Sequence, residues 1–339
     1  MSPFPSKKKP WSRWHKRLHE KLQRSPNLLP SDSYLLIALS GGQDSMALLK
    51  IILDLKRIYK WEVFIWHGDH GWHNQSKQTA KELKIWCEEK SLNFFSDITN
   101  QKTTKSEADA REWRYSCLTK LANKICSENS TQKEIFILTA HTSSDRAETF
   151  IFNLSRGTDL AGLCSLAEYR TIQNKITLVR PFLIFSRVET AKICEDFLLP
   201  IWLDPTNENT QLSRNKIRHN IMPILERINP GSSQRISDLS ERISSKKKEE
   251  EELISLALES LILNQGICRK KLNKLSANIK TTVLAYWLKT KGVPTLTAKS
   301  LKELSLIVEP EKPPGTKHLG KGWHLIWLKE SIEIDQVIE

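Results

Sequence analysis

The feature that most constrains this fold is an apolar run that leads through a glycine-rich turn into a helical pattern. Residues 35–39 have the sequence LLIAL, and a continuous apolar run of this length is typical of a strand buried on both faces. The hexapeptide SGGQDS follows at 40–45, and the apolar periodicity over 45–58 predicts a helix. A buried strand that turns tightly into a helix indicates an α/β fold with a parallel sheet.

Strand-like runs and helical patterns continue to alternate beyond this turn. We expect strands at 62–66, 94–98, 135–139 and 176–179, and helices at 75–90, 106–126, 143–154 and from Arg187 onward. The alternation predicts a doubly wound, Rossmann-like α/β domain whose ligands bind at the carboxyl ends of parallel strands.

The segments on either side of this alternation have different patterns. The first residues are basic, and a helix there would carry one apolar stripe formed by Trp11, Trp14, Leu18 and Leu22. We favour a helix docked on the body, and we keep an organelle transit peptide and a nucleic-acid contact as alternatives. Past about residue 210, long helical patterns replace the strands, and the tail alternates as a small hairpin does. We therefore predict an N-terminal extension at 1–30, the α/β domain at 31–212 and a smaller, mostly helical domain at 213–339.

Charge and cysteine spacing narrow the class of protein. The chain has 52 Lys and Arg against 39 Asp and Glu, a formal net charge of +13 that attracts polyanions such as nucleic acid. None of the six cysteines forms a Cys-x-x-Cys pair, so we expect reduced thiols and neither a structural zinc site nor an iron–sulfur cluster. No apolar run approaches the roughly 18 residues of a membrane span, so we expect no membrane contact and a cytoplasmic location.

The hexapeptide has the chemistry of a phosphate-binding loop. Gly41 and Gly42 allow backbone amides to approach phosphate oxygens, and the hydroxyls of Ser40 and Ser45 add hydrogen-bond donors. The loop lacks the Gly-Lys-Ser/Thr end of a Walker A motif. It has Asp44 instead, and a carboxylate beside pyrophosphate needs a bridging cation, so we predict that Mg²⁺ binds with ATP.

Together with later motifs, this hexapeptide resembles the PP-loop ATP pyrophosphatases and, among them, the tRNA(Ile)-lysidine synthetases. The resemblance covers roughly 35–225 and rests on SGGQDS at 40–45, HGDHG at 67–71, EADAREWRY at 107–115, TAHTSSDRAET at 139–149, RG at 156–157 with GL at 162–163, DPTN at 204–207 and RNKIR at 214–218. It implies that ATP adenylates the wobble cytidine of an isoleucine tRNA with a CAU anticodon, and that free L-lysine then displaces AMP. The domain at 31–212 would then hold ATP, and the domain at 213–339 would hold tRNA; a homodimer is an arrangement we leave open.

The motifs supply candidate residues for each role. Asp145 and Glu148 share a helix face and suit a lysine ammonium or a second cation, so we predict Asp44 and Asp145 as metal ligands. We predict His141 as the base that deprotonates lysine. The catalytic set is Asp44, His141, Asp145 and Glu148; the ATP-binding set is Ser40, Gly41, Gly42, Gln43, Asp44, Ser45, Asp69 and His70; the tRNA-binding set is Arg111, Arg114, Arg214, Lys216 and Arg218.

Three other functions fit parts of the pattern. A cluster-dependent tRNA thiolase needs paired cysteines, which the sequence lacks, although a single catalytic thiol stays open. A metabolite ligase related to the NAD synthetases would not need the basic helical extension. An RNA-binding protein with an inactive loop would not need Asp44, and pyrophosphate release would distinguish it from an enzyme.

Overall fold

In the computed structural model, residues 11–69, 71, 76–99, 106–128, 133–202 and 213–337 are described. The chain divides into two compact units, Met1–Ile243 and Ser244–Glu339. Unit 1 holds every candidate residue for ATP, lysine and metal. Two predicted features, His70 and the DPTN motif at 204–207, lie outside the described residues.

Unit 1 is built on a six-stranded, mostly parallel sheet. Its strands are β1 (Tyr34–Ala38), β2 (Glu62–Asp69), β3 (Asn93–Ile98), β4 (Ile135–Leu138), β5 (Tyr169–Gln173) and β6 (Ile176–Val179), in the order β3-β2-β1-β4-β6-β5. The predicted α/β class with a mostly parallel sheet is confirmed. The edge strand β5, which runs antiparallel to β6, was not predicted, because its sequence YRTIQ is polar and mostly exposed and lacks the apolar run of a buried strand.

Helices cover both faces of this sheet. They are α1 (Arg13–Arg24), α2 (Gln43–Tyr59), α3 (Ser76–Glu89), α4 (Glu107–Glu128), α5 (Ser143–Ser155), α6 (Leu160–Leu163), α7 (Arg187–Asp196), α8 (Ser213–Lys216) and α9 (Met222–Ile228), with a π-helical turn at Ile217–Ile221. Alternate strand residues face opposite layers: Leu35 and Ile37 pack toward α2, whereas Tyr34 and Leu36 pack toward α4. Because β1, β2, β3, β4 and β6 run parallel, their carboxyl ends lie at the same edge of the sheet.

Helix α1 is docked on unit 1 by its apolar stripe. Trp14, Leu18 and Leu22 are buried in the core beside α2 and α7, so the docked-helix interpretation is confirmed for these three positions. Trp11 is 43% exposed and does not join the buried stripe. The Trp14 indole nitrogen also donates to Asp196 Oδ2 at 2.8 Å, which fixes α1 to the end of α7.

Unit 2 is not the mostly helical domain that we predicted. It contains a five-stranded antiparallel sheet of β7 (Ile262–Leu263), β8 (Gly266–Cys268), β9 (Gly315–Gly320), β10 (Trp323–Trp327) and β11 (Ser331–Gln336), in the order β7-β8-β11-β10-β9. Its helices are the end of α10 (Ser232–Leu261), α11 (Arg269–Leu272), α12 (Ala277–Thr290) and α13 (Ala298–Ile307). The predicted hairpin is part of this sheet; β7 and β8 are too short to leave a periodic pattern, since two or three residues cannot show an alternation.

A single buried arginine closes unit 2. Arg269 is almost fully buried, and its guanidinium donates only to backbone carbonyls, among them Val308 at 2.9 Å and Leu328 at 2.8 Å. These bonds join the start of α11 to the end of α13 and to the β10–β11 turn. Separately, none of the helices in the described parts of the chain combines the length and the apolar character needed to cross a membrane.

The docking of α1 leads to a stability prediction. Leu18 is fully buried, so Leu18→Ala should lower the free energy of unfolding by about 2 to 5 kcal/mol in urea denaturation, because it leaves a cavity between α1 and α2. Lys16→Ala on the exposed side of the same helix is the control and should change it by less than about 0.5 kcal/mol. Equal effects of the two variants would mean that α1 is not held by its apolar stripe.

Candidate active site

The glycine-rich loop turns from β1 into α2 at the carboxyl edge of the sheet. Gly41 has φ +87°, and a Cβ atom there would stand 3.3 Å from the Cβ of Trp202, so only glycine fits this turn without strain. The Trp202 amide donates to the Gly41 carbonyl at 3.0 Å, and the indole nitrogen of Trp202 donates to Glu82 at 3.0 Å. Trp202 thereby closes the outer side of the loop.

The inner side of the loop is arranged for an anion. Gly42 is the N-cap of α2 and, having no side chain, leaves the first-turn amides without a side-chain cap. The Ser45 hydroxyl donates to the Gly42 carbonyl at 2.9 Å, and the Ser40 and Ser45 hydroxyl oxygens are 3.1 Å apart. Uncapped first-turn amides and the positive end of a helix dipole suit a phosphate group, while the two hydroxyls are engaged within the loop.

Asp44 lies in the first turn of α2 with its carboxylate partly open to solvent, at 22% side-chain exposure. Its Oδ1 accepts a short hydrogen bond from the Thr190 hydroxyl, and Arg187 Nε lies 3.5 Å from its Oδ2. Burial raises the pKa of Asp44 above its usual value, and the nearby Arg187 opposes that rise. The Asp145 carboxylate adds to that rise, and the hydrogen bond from Thr190 opposes it.

A second group of carboxylates lies on α5 and is covered by guanidinium groups. Asp145 Oδ2 accepts from the Thr142 amide at 2.7 Å and completes the capping box of α5. Its Oδ1 accepts from Arg187 Nη2 at 2.9 Å. Glu148 receives two parallel bonds from Arg218, Nε to Oε1 and Nη2 to Oε2, both at 2.9 Å. Such bidentate pairs are among the stronger ion pairs in proteins.

Three arginines from different elements, Arg187, Arg214 and Arg218, bridge these carboxylates. Arg187 also donates to Glu148 Oε1 at 3.2 Å, and Arg214 Nη2 lies 3.7 Å from Asp145 Oδ1. Burial alone would raise the pKa of Asp145. The nearby Arg187, His141 and Arg214 lower it by more than burial raises it, so the pKa of Asp145 lies well below its usual range. We call Asp44, Asp145, Glu148, Arg187, Arg214 and Arg218 the charge cluster; it holds three carboxylates and three guanidinium groups.

Arg187 is the central residue that the sequence analysis missed. It occupies the first position of α7, directly after the capping residue Ser186. A cation at a helix N-terminus is disfavoured by the helix dipole, so its presence there indicates a compensating anion nearby. That anomaly is visible in the sequence and would have pointed to Arg187, although not to its three partners.

Two further polar residues lie at the strand ends beside the loop. His141 Nδ1 is 2.9 Å from the Thr139 hydroxyl, and burial together with Arg180, Arg214 and Arg111 lowers its pKa against the opposing effect of Asp145. His141 is therefore neutral near pH 7. Asp69 is almost fully buried; its Oδ1 accepts from the Gly71 amide at 2.8 Å, and its Oδ2 has no hydrogen-bond partner within the described ranges.

A cleft of about 590 Å³ joins the loop to the charge cluster, which is within the usual volume range of small-ligand sites. It is lined by these predicted site residues: Ser40, Gly42, Gln43, Asp44, Ser45, Asp69, Arg114, His141, Asp145 and Arg218. Gly41 and Glu148 are not among the lining residues, but Glu148 is bonded to Arg218, which is. The predicted ATP-binding and amine-binding residues therefore share one space.

Four of the five predicted tRNA-binding residues fall into two groups; the fifth, Arg114, lines the cleft. Arg214 and Arg218 face Asp145 and Glu148 and do not project freely into solvent. Lys216 is exposed, and Arg111 lies 5.0 Å over the ring of Tyr115 on α4. The last two positions have charge that the carboxylates of the cluster do not use. Contact with tRNA stays a prediction for all five residues.

The residues present fit a cation at Asp44 better than at Asp145. Asp44 reaches the cleft beside the phosphate loop, and Asp69 offers a buried oxygen that no described group satisfies. Both oxygens of Asp145 are occupied by Thr142 and Arg187. In the portions of the chain described here, no group of three or more His, Cys, Asp or Glu side chains could hold a metal ion. Mg²⁺ bound with nucleotide uses only one or two carboxylates, because phosphates and water complete its shell.

Comparisons with known proteins agree on one family. Residues 13–225 match the PP-loop domain family. A tRNA(Ile)-lysidine synthase from Prochlorococcus marinus strain SARG is 50% identical over 326 residues, 96% of this chain and 97% of that protein. Another from Prochlorococcus marinus subsp. pastoris is 42% identical over 340 residues, 99% of this chain and 100% of that protein. The solved structure of the U34-tRNA thiolase NcsA from Methanococcus maripaludis is 19% identical, with a TM-score of 0.49 over 67% of this chain and 78% of that chain, and supports no inference.

The charge cluster leads to a pH-dependent stability prediction. Arg187→Gln should lower the free energy of unfolding by about 3 kcal/mol near neutral pH, because it leaves buried carboxylates without their partner. Arg187 holds the pKa of Asp145 below its unfolded value, so the stabilisation is present above about pH 4 and is lost as the pH falls toward the folded pKa. Urea denaturation of parent and variant at several pH values should therefore show a difference that shrinks below about pH 4.

Arg17→Gln is the matched control for this experiment. Arg17 pairs with Glu189 at 42% side-chain exposure, so its loss should cost less than about 1 kcal/mol at every pH. A difference between Arg187→Gln and the parent that stays constant with pH would contradict the proposed coupling between Arg187 and the carboxylates.

Proposed function

The chain belongs to the tRNA(Ile)-lysidine synthase family, a PP-loop family of tRNA-modifying ligases that bind ATP, and we propose that the cleft beside the loop performs both half-reactions. In the first, ATP adenylates position 2 of the wobble cytidine in an isoleucine tRNA with a CAU anticodon, and pyrophosphate leaves. The adenylate is carried on the carbonyl oxygen at position 2; in the second half-reaction the ε-amine of L-lysine attacks C2, and the C2–O bond breaks to release AMP. The observation that carries this proposal is the continuity between the phosphate loop and the carboxylates of α5.

ATP would lie with its phosphates on the loop. The uncapped amides of α2 and the hydroxyls of Ser40 and Ser45 would bind phosphate oxygens. Mg²⁺ would bind at Asp44, with Asp69 as a second oxygen donor, and would neutralise charge on the phosphates. Asp145, which we predicted as a metal ligand, is better placed for the amino acid.

Lysine would bind where guanidinium groups now lie. Asp145 and Glu148 suit an ammonium group, but Arg187 and Arg218 already neutralise them. A lysine ammonium therefore has to compete with Arg218 for Glu148, and it gains most if Arg218 turns toward a phosphate. His141, the predicted proton acceptor for the ε-ammonium, is neutral near pH 7, but the burial and the arginines that lower its pKa to about 3 also make it a weak base, which counts against this role.

Contacts with tRNA would come from positive charge outside these pairs. Lys216 and Arg111 are the candidates in unit 1, and the net charge of +13 would draw the phosphate backbone toward the cleft from a distance. The predicted tRNA-binding domain at 213–339 includes unit 2, and tRNA binding by unit 2 stays a prediction.

The reaction can be tested directly on the nucleosides of the tRNA. With ATP, Mg²⁺, isotopically labelled lysine and CAU-anticodon tRNA, mass spectrometry should show a cytidine that has gained labelled lysine. Asp44→Asn should fold normally by circular dichroism yet reduce pyrophosphate release by at least about 100-fold, because the cation site is lost. Near-normal release by the folded variant would contradict the cation role of Asp44.

The amine site has its own test. Glu148→Gln should raise the KM for lysine more than the KM for ATP, by about tenfold against less than about threefold, because an ammonium loses a charged partner. Steady-state kinetics with each substrate varied in turn would show the difference. Glu241→Gln is the control, since Glu241 is also an arginine-bound glutamate of unit 1, but its partner is Arg146, which is not part of the charge cluster. A lysine KM that is the same in Glu148→Gln and parent would remove Glu148 from the amine site.

A further inference from the structure

One face of α7 holds the phosphate loop from behind. Residues three and four apart on a helix share a face, and Arg187, Thr190 and Cys194 have this spacing. Each contacts the loop: Arg187 Nε lies 3.5 Å from Asp44 Oδ2, Thr190 Oγ1 donates to Asp44 Oδ1, and Cys194 Sγ lies 3.2 Å from the Gln43 carbonyl. The loop is therefore positioned by a helix that follows it by more than a hundred residues.

Of these three contacts, the one from Thr190 restrains Asp44 most closely. Arg187 makes its shorter bonds to Asp145 at 2.9 Å and to Glu148 at 3.2 Å, so its contact with Asp44 is the weakest of its three. The Thr190 hydroxyl is fully buried and makes a short hydrogen bond to Asp44. A hydrogen bond to a charged acceptor out of water is stronger than a neutral one.

Gln43 contacts the same Thr190 hydroxyl that is bonded to Asp44. The Gln43 amide nitrogen lies 2.9 Å from the Arg187 carbonyl and 3.1 Å from Thr190 Oγ1, so its two hydrogens can serve these two acceptors. The Thr190 hydroxyl has one hydrogen and two candidate acceptors, the Arg187 carbonyl at 2.9 Å and Asp44 Oδ1. Gln43 donates to the Thr190 oxygen and a carboxylate oxygen can only accept, so the close contact with Asp44 Oδ1 places the Thr190 hydrogen on Asp44.

We propose that Thr190, oriented by Gln43, is a positioning residue that fixes the Asp44 carboxylate for the Mg²⁺ of bound ATP. The inference rests on the proposed role of Asp44 at the cation. With Oδ1 held by Thr190, the carboxylate cannot rotate freely about its terminal bond, and its exposed side is presented to the cleft. A neutral hydroxyl can thus orient Asp44 without adding charge to the charge cluster.

Two substitutions separate this role from simple packing. Thr190→Val keeps the shape of the side chain and removes the hydroxyl, whereas Thr190→Ser keeps the hydroxyl and removes a methyl group. If Thr190 orients Asp44, the valine variant should be impaired and the serine variant should be close to the parent. If Thr190 only fills space between α2 and α7, the serine variant should be the weaker of the two. Ile193→Val, on the core side of the same helix, is the control for loss of a buried methyl group.

The measurement is ATP binding by titration calorimetry without tRNA or lysine, once with Mg²⁺ and once with EDTA. Thr190→Val should weaken binding about tenfold with Mg²⁺ and less than about twofold with EDTA, while Thr190→Ser and Ile193→Val stay within about twofold in both. In an Asp44→Asn background, Thr190→Val should have no further effect on binding with Mg²⁺. Thermal unfolding of each variant checks that the fold is retained.

Three results would overturn the proposal. They are parent-like Mg²⁺-dependent binding by Thr190→Val, an equal loss for serine and valine, and an equal loss with Mg²⁺ and with EDTA, which would show a distorted loop. The proposed function fails separately: if the parent forms no lysine-modified cytidine but Thr190→Val still loses only the Mg²⁺-dependent part of ATP binding, the positioning role stands without it.

Discussion

The balance of charge at the carboxyl edge of the sheet is the constraint on which this site depends. Asp44, Asp145 and Glu148 come from two helix N-terminal regions, and each would be costly to bury alone. Three guanidinium groups offset them, and bidentate bonds to Glu148 make the arrangement specific. Because the arginines come from α7, α8 and the π-helical turn after it, the site can form only when these elements pack against α5.

The same balance explains how one cleft could handle two substrates of opposite charge. In the proposed reaction, ATP would bring negative charge to the loop, and lysine would bring a positive ammonium to the carboxylates of α5. Arg187 lies between the two regions and contacts both, through Asp44 on one side and Asp145 on the other.

The sequence predicts the parts of this molecule that depend on local pattern. The strand at 35–39, the glycine-rich turn and the carboxylates on α5 are recognisable because each is specified by neighbouring residues. The role of Arg187 and the bond from Thr190 to Asp44 depend on contacts between residues 42 and 146 positions apart, which periodicity does not encode. The sheet of unit 2 escaped prediction for a related reason, since β7 and β8 exist only through pairing with each other and with β11.

We propose that the loop directs cleavage of ATP between its α and β phosphates. The most direct measurement uses ATP labelled in the α phosphate, with Mg²⁺, lysine and CAU-anticodon tRNA, and separates the labelled products by chromatography. If the loop directs this cleavage, we expect labelled AMP, pyrophosphate in equal amount and one lysine incorporated into tRNA for each AMP. Little AMP should form when tRNA is left out. Labelled ADP with inorganic phosphate, or AMP release that does not depend on tRNA, would contradict it.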